Sequence, residues 1–280
     1  KAKTIVSISA DFLANWLLHN EYVTQYAQNR RPENDWMSRH FQFESIMSVT
    51  GSNADVRVPI KPSQEGLVAA ALYKHVTGSS IGNVPAEILE LTAAAGAELK
   101  KSAGASLVVS GSNDVNVQTI VAAINHKLGN YETTININNP VNLFAANDRQ
   151  VEELVKDVTA GKIKAILIDG NINPVYSLRD GNAFAEAIAK MDLSVSFSLV
   201  ADETASKCAY VCPDHHFLES WNDLNPKANH YAIAQPAIRP LYETRNMQES
   251  MLVFAGLATR GDKDNDTYYN VIRKNWEAYG

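Results

Sequence analysis

At 280 residues with 45% hydrophobic content, the chain is long enough to bury one or two sizeable cores. Its formal net charge is −6 and no Lys/Arg cluster occurs, which excludes the basic footprint of a nucleic-acid binder or of a protein held on an anionic membrane surface. No apolar run approaches the roughly 20 residues that a bilayer-spanning helix needs. Thr4 to Ser9 is then predicted as a strand ending in Ala10-Asp11, and Leu13 to Tyr26 as a helix. Asn29 to Asp35 is polar, contains Pro32 and reads as a loop. Gln42 to Val49 is apolar enough for a strand. Lys61-Pro62-Ser63 opens a helix over Gln64 to Val76, with Ser63 as its N-cap. Pro85 to Ala97 is a further helix, Leu107 to Val109 a buried strand, and Val115 to Leu128 a helix closed by Gly129. Thr133 to Ile137 is predicted as a strand and Val151 to Ala160 as a helix closed by Gly161.

The run Ala165-Ile166-Leu167-Ile168 ends in Asp169-Gly170-Asn171-Ile172-Asn173-Pro174. A helical pattern follows (Phe184, Ala187, Ile188, Met191), then a second apolar run from Val195 to Val200 that ends in Asp202-Glu203-Thr204-Ala205. Strand, polar loop, helix, strand, polar loop is the order of a parallel βαβ unit. After Leu224 the periodicity weakens, and prolines with irregular polar spacing predict a surface-wrapping loop over Asn225 to Tyr242. Met247 to Leu257 and Tyr268 to Trp276 read as closing helices. The fold class is therefore α/β: two doubly wound, mostly parallel lobes over residues 1–140 and 141–280, the second carrying the wrapping segment. The seam falls between Asn138 and Arg149.

In such sheets the loops after the strand C-termini form the ligand crevice. The candidates there are Ser9 and Asp11 in the first loop, Gly111, Ser112 and Asn113 in the second, Gly170, Asn171 and Asn173 in the third, and Thr204 after the next strand. Glycine allows close backbone approach, while Asn, Ser and Thr side chains offer hydrogen bonds. The same residue types also serve ordinary turns. Phe12, Leu13 and Trp16 follow the first strand directly and are expected to fill part of the crevice between the lobes, leaving it too small for a dinucleotide. Cations, which a diphosphate favours, are scarce in these loops.

Other constellations read as structural. Cys208 and Cys212 are the only cysteines, and a cubane iron–sulfur cluster takes four thiolates. On a strand they stand about 13 Å apart, too far for a disulfide, and they are expected as free core cysteines. His215 and His216 point to different sides of any regular element, so with Glu219 they form a structural group and not a metal site. Asp262 to Asp266 begins like a calcium loop but has Thr267 at the sixth position and Arg273 at the twelfth, and reads as a solvated loop. No nucleophile elbow, zinc-binding His-Glu-x-x-His or phosphate loop occurs, and no catalytic residue is predicted.

Three segments carry a family resemblance. Gly170-x-x-Asn173-Pro174 with Glu203-Thr204-Ala205, the turn Ala54 to Pro62, and the stretch Ser106 to Asn130 resemble, in order, motifs of the molybdopterin oxidoreductases of the dimethyl sulfoxide reductase superfamily. Ala10 to Trp16, Met37 to His40 and Gln235 to Leu241 resemble the large iron–sulfur subunit of bacterial alternative complex III, a quinol:acceptor oxidoreductase whose molybdopterin-like region is understood to have lost its cofactor. The resemblance implies that Ser9, Asp11, Gly111, Ser112, Asn113, Gly170, Asn171, Asn173 and Thr204 are vestiges of a cofactor-binding set. It implies a structural module without a cofactor or metal of its own. Iron–sulfur clusters are expected only in other parts of the subunit. The implied partners are a ferredoxin-like domain of the same polypeptide and other subunits of a membrane quinol-oxidising complex, located peripherally at the cell envelope on the periplasmic side of the inner membrane. The alternative is a fragment of a true enzyme that binds molybdopterin guanine dinucleotide and acts on a small inorganic or sulfur substrate.

Overall fold

The computed structural model describes residues 1–131, 133–143, 146–259 and 267–278. The chain divides into two units, Lys1–Leu143 and Phe144–Gly280. Unit 1 runs β1 (Thr4–Ile8), α1 (His19–Gln28), β2 (Arg39–Glu44), α2 (Val49–Ser52), β3 (Val56–Pro59), α3 (Glu65–Thr77), α4 (Ala86–Lys101), β4 (Ser106–Ser110) and α5 (Val115–Lys127). Its four strands are all parallel, in the order β3-β2-β1-β4.

The period-2 rule explains both faces of this sheet. Val6, Ile8, Phe41, Phe43 and Val108 join Val68, Leu72, Val121 and Ile124 in the main core, under α3 and α5. Ile5, Leu107 and Val109 turn to the other face. There they meet Phe12, Leu13 and Trp16 of the first loop and Tyr22 and Tyr26 of α1. The three bulky residues thus belong to unit 1's own second core.

Several boundaries move for local reasons. The first helix starts at His19, because the N–H groups of Ala14, Asn15 and Trp16 are gathered by the Asp11 carbonyl into a turn. β2 stops at Glu44, and Val49 already lies in α2, whose N-cap Ser48 accepts from the Gly51 N–H. Ser63 caps nothing; α3 follows a 3₁₀ turn at Pro62–Gln64. The segment 54–62, read from sequence as a turn, contains the strand β3. Thr133 to Ile137 forms no strand: the N–H groups of Thr133, Thr134 and Ile135 fold back onto the Asn130 carbonyl.

Unit 2 runs α6 (Asp148–Thr159), β5 (Ala165–Ile168), α7 (Pro174–Ser177), α8 (Gly181–Ile188), β6 (Leu193–Ser196), β7 (Tyr210–Val211), β8 (Asn222–Lys227), β9 (His230–Ala234), α9 (Met247–Phe254) and α10 (Tyr268–Glu277). β5, β6 and β7 form a parallel sheet in that order. Its compact core joins Val158, Ile168, Phe184 and Ile188. β6 ends at Ser196 rather than Val200, because the Ser196 and Ser198 hydroxyls accept from the N–H groups two residues on and curl the chain away. The expected wrapping loop contains the antiparallel hairpin β8–β9 instead, with a register shift between Leu224 and Lys227. That irregularity accommodates Pro226 in the strand. Both cysteines are free, on either side of the two-residue strand β7: Cys208 is half-buried and packs against the core of unit 2, whereas Cys212 is exposed rather than a core residue. The calcium-like run Asp262 to Asp266 lies outside the described residues.

Candidate functional site

The nine candidate residues all lie at or beyond strand C-termini, and their polar atoms are largely engaged within the chain. Ser9, directly after β1, adopts a left-handed φ of 53° and donates its hydroxyl to Glu65 Oε1 at 2.6 Å. Asp11 Oδ1 accepts from the Thr50 hydroxyl at 2.7 Å and the Thr50 N–H at 3.0 Å. Thr50 Oγ1 in turn accepts from the Leu13 N–H. The first loop is therefore pinned to α2 through one carboxylate oxygen.

Gly111 and Gly170 have the same surroundings, one in each unit. A Cβ on Gly111 would strike the Ser9 carbonyl oxygen, and one on Gly170 would strike that of Phe197. In both places the loop after one strand lies against the loop after its neighbour, so the missing side chain is filled by backbone. Ser112 accepts from the Asp114 N–H, and Asp114 Oδ1 caps α5 through the Asn116 N–H at 2.7 Å. Asn113 is exposed between them.

In unit 2, Asn171 folds onto Asp169 Oδ1 through its N–H and side-chain amide, at 2.8 and 2.9 Å. Asn173 links two loops. Its amide donates to Glu203 Oε2 at 2.6 Å, and its Oδ1 accepts from the fully buried Thr204 hydroxyl at 2.7 Å. Thr204 Oγ1 also accepts from the Val175 N–H at 3.0 Å. The amide from Asn173 holds the Glu203 carboxyl below its ordinary pKa. Sequence motifs that stand 30 residues apart thus meet as one hydrogen-bonded clasp.

His216 and Glu219 are tied into the local fold. His216 Nδ1 accepts from the Leu218 N–H at 3.3 Å, and Glu219 binds the N–H groups of His216 and Leu241 at 3.0 Å each. Nearby Asp223 accepts from the Tyr268 hydroxyl and the Trp276 indole, at 3.2 Å each, and ties α10 to the hairpin. Among the described residues no group of three His, Cys, Asp or Glu side chains is arranged to hold a metal. Unit 2 has clefts of about 290 Å³ beside α6 and α8 and about 390 Å³ beside Trp221 and Tyr269. None of the nine candidates lines either one.

The most charged buried feature was not singled out from the sequence. His40, Gln42 and Glu44 project from one face of β2, all buried. His40 Nδ1 lies 3.2 Å from the Tyr26 hydroxyl, its Nε2 is 3.3 Å from Gln42 Oε1, and the Gln42 amide donates to Glu44 Oε2 at 3.1 Å. Glu44 also accepts from Arg57 at 2.6 Å and from the Ser48 hydroxyl at 2.6 Å. Arg30 pairs with Asp55 through both oxygens at 2.8 Å. Burial pushes the His40 imidazole down to about 4 and the Tyr26 phenol up to about 12. For Glu44 burial pushes upward, but its hydrogen bonds from Ser48, Arg57 and Gln42 outweigh this and hold it low. The hydrogen bonds from Arg30 hold Asp55 low as well. The signal was the alternation His40-Phe41-Gln42-Phe43-Glu44, polar at every second position of a strand.

No family model matches the chain. Over 105 residues, 35% of the chain, it is 31% identical to the menaquinone reductase, molybdopterin-binding-like subunit, of Nitratidesulfovibrio vulgaris, a match that covers 15% of that protein. In fold it is similar to acetylene hydratase from Pelobacter acetylenicus, with a TM-score of 0.62, 12% identity, and coverage of 95% of this chain and 49% of that one. The chain thus spans about half the length of the structural relative, and the matched stretch a smaller part of the curated one. The chain has a mixed α/β fold similar to that of a molybdopterin oxidoreductase over nearly its whole length, and over about a third of it a sequence similar to that of a molybdopterin-binding-like subunit.

Proposed function

We propose that the chain is a cofactor-free structural module of a quinol-oxidising respiratory complex of the alternative complex III kind. In this reading it packs against a ferredoxin-like part of the same polypeptide and against other subunits on the periplasmic side of the membrane. The kinship with a menaquinone reductase subunit supports a quinone-linked assembly.

The observation that carries the reading is the state of the strand-end loops. Backbone fills the space beside Gly111 and Gly170, Asp11 is spent on Thr50, and Asn173 on Glu203 and Thr204. A helix N-terminus after a strand is the natural seat for a phosphate. Here Asp114 occupies that of α5 and Asn173 that of α7. The four loops, residues 9–16, 110–114, 169–174 and 198–204, contain no Lys or Arg, and they carry Asp11, Asp114, Asp169, Asp202 and Glu203. Such carboxylates repel a diphosphate, so these residues do not fit a guanine-dinucleotide cofactor. One observation favours the alternative, a cofactor-binding piece of a true molybdopterin enzyme: the Asn173–Thr204 clasp keeps intact the motif pair of the catalytic family.

Calorimetric titration of the purified chain with guanosine diphosphate tests the choice. The expected outcome is no heat of binding at micromolar concentrations. A dissociation constant in the micromolar range would move the assignment to the cofactor-binding alternative.

A further inference from the structure

The two faces of the unit 1 sheet are closed in different ways. On one face α3 and α5 lie over the main core of buried aliphatic and aromatic side chains. On the other, the cover is α1 with the turn at residues 12–16. α1 buries no residue completely, has no side-chain cap at Leu18, and runs alongside no other helix or strand. A helix of this length is marginal without such support. The chain that leads into it is strained, because Leu17 holds a left-handed φ of 51°.

Polar ties hold this cover down. The Tyr26 hydroxyl lies 3.2 Å from His40 Nδ1 and 2.9 Å from the Asn53 carbonyl, and Arg30 clasps Asp55. The rings of Phe12 and Tyr26 lie against the His40 imidazole, with centroids 5.4 and 5.7 Å away. The ladder on β2 sets the tautomer of that imidazole. The Glu44 carboxylate only accepts, so the Gln42 amide donates to it and turns Gln42 Oε1 toward His40 Nε2. Nε2 therefore carries the hydrogen, and Nδ1 accepts from the Tyr26 hydroxyl.

A proton on Nδ1 ends that acceptance and puts a cation between the sheet and the cover. The charged groups around it are Arg30 on α1, Glu44 on β2, Asp55 just before β3, and Arg57 on β3. The Arg30 guanidinium already stands over the Tyr26 ring, 5.2 Å from its centroid. Both carboxylates are committed, Asp55 to Arg30 and Glu44 to Arg57. The turn at residues 12–16 brings no charge, and Asp11 before it is bound to Thr50. A buried cation without a partner of its own costs free energy that contact with water removes.

We propose that α1 and the turn before it form a lid that opens as a unit over His40 while the rest of unit 1 stays folded, and that a proton on the His40 ring favours the open form. Under the closed lid, burial holds the ring at about 4; in an open, hydrated site it returns to about 6.5. Between these values only the open form binds the proton, so opening increases as the pH falls. From pH 7.5 to 5 the opening constant rises about thirtyfold.

Amide hydrogen exchange on the full chain, corrected for the intrinsic rate at each pH, tests the lid. At pH 7.5 the amides of Val23 to Gln28 are protected, yet exchange about a hundredfold or more faster than those of Val68 to Leu72 in α3. At pH 5 their protection is about thirtyfold lower in the parent and within about threefold of its starting value in His40→Gln. Nitrogen NMR of the parent, which needs no variant, finds the hydrogen of the neutral His40 ring on Nε2 and none on Nδ1. Equal protection of α1 and α3 would mean that the unit opens only as a whole, and would overturn the lid. Unprotected α1 amides at pH 7.5 would overturn its closed form. No fall in the parent, the same fall in His40→Gln, or a hydrogen on Nδ1 would remove His40 as its latch.

Discussion

Alanine at Gly111 or at Gly170 is expected to destabilise the chain without any cofactor present. The new methyl at residue 111 meets the Ser9 carbonyl, and at residue 170 that of Phe197. Both obstacles are backbone and cannot swing aside like a side chain. Overpacking of this kind costs about 2–3 kcal/mol. The reduced freedom of the unfolded chain returns about 0.5–1 kcal/mol. The net loss is about 2 kcal/mol, a fall of about 6 °C in the melting point of a unit of this size. Thermal melts of G111A and G170A check it. If the glycines existed only to admit a ligand, alanine would leave the ligand-free melting point unchanged or raise it. That result would remove the main support for loops closed by their own backbone.

Acid is expected to weaken unit 1 well above the pH at which ordinary carboxylates titrate. His40 is buried and neutral, with its pKa pushed down to about 4, while in the unfolded chain it returns to about 6.5. Between those values the unfolded state binds the extra proton, so stability falls as pH falls. The contribution is complete above pH 6.5 and is lost progressively as the pH drops through 4. At about 1.4 kcal/mol per pH unit, the loss is about 3 kcal/mol. Glu44 and Asp55, both held below their ordinary values, extend the decline at lower pH. Urea melts from pH 7.5 to 4, on the parent and on His40→Gln, check the assignment. The variant is less stable at neutral pH but shows a flatter slope between 6.5 and 4. An identical slope in both proteins would mean that His40 does not titrate as placed. Breaking the same network by Glu44→Ala would strand Arg57, whose side chain is 25% exposed, so part of that cost would be relieved by water.

The α/β class was legible because the signals were long and periodic. Leu107 to Val109 and Ala165 to Ile168 are uniformly apolar runs and Thr4 to Ile8 a mostly apolar one, each followed by turn residues, and each became part of a strand of a parallel sheet. Short-range chemistry overrode pattern elsewhere. Thr133 to Ile137 has β-branched residues in alternation, yet a single carbonyl, that of Asn130, captures its N–H groups. The hairpin at Asn222 to Ala234 was hidden by Pro226 and by a turn that rests on Asn229 at φ 61°.

Positions at the strand ends were also legible, because parallel topology puts loops there whatever their chemistry. What those residues do was not. Asp11 looks the same in a sequence whether it faces a ligand or caps Thr50. Nothing in the word Gly reveals that Ser9 or Phe197 backbone fills the gap beside it. The clasp between Asn173 and Thr204 spans 31 residues, beyond the reach of any local pattern, although both residues were already candidates. The ladder His40-Gln42-Glu44 was visible as alternation, but polar residues at every second position usually signal a solvated face. Only the covering by α1 and the Phe12–Trp16 turn makes that face an interior.

The metal content of the protein isolated from its native source tests most directly whether the chain is free of a cofactor. Elemental analysis of the chain should find no molybdenum, tungsten or iron approaching one atom per polypeptide. The two cysteines cannot hold a cubane cluster, and the polar groups of the strand-end loops are largely engaged within the chain. One molybdenum or tungsten per chain, retained through purification, would contradict that reading and make these loops a cofactor site.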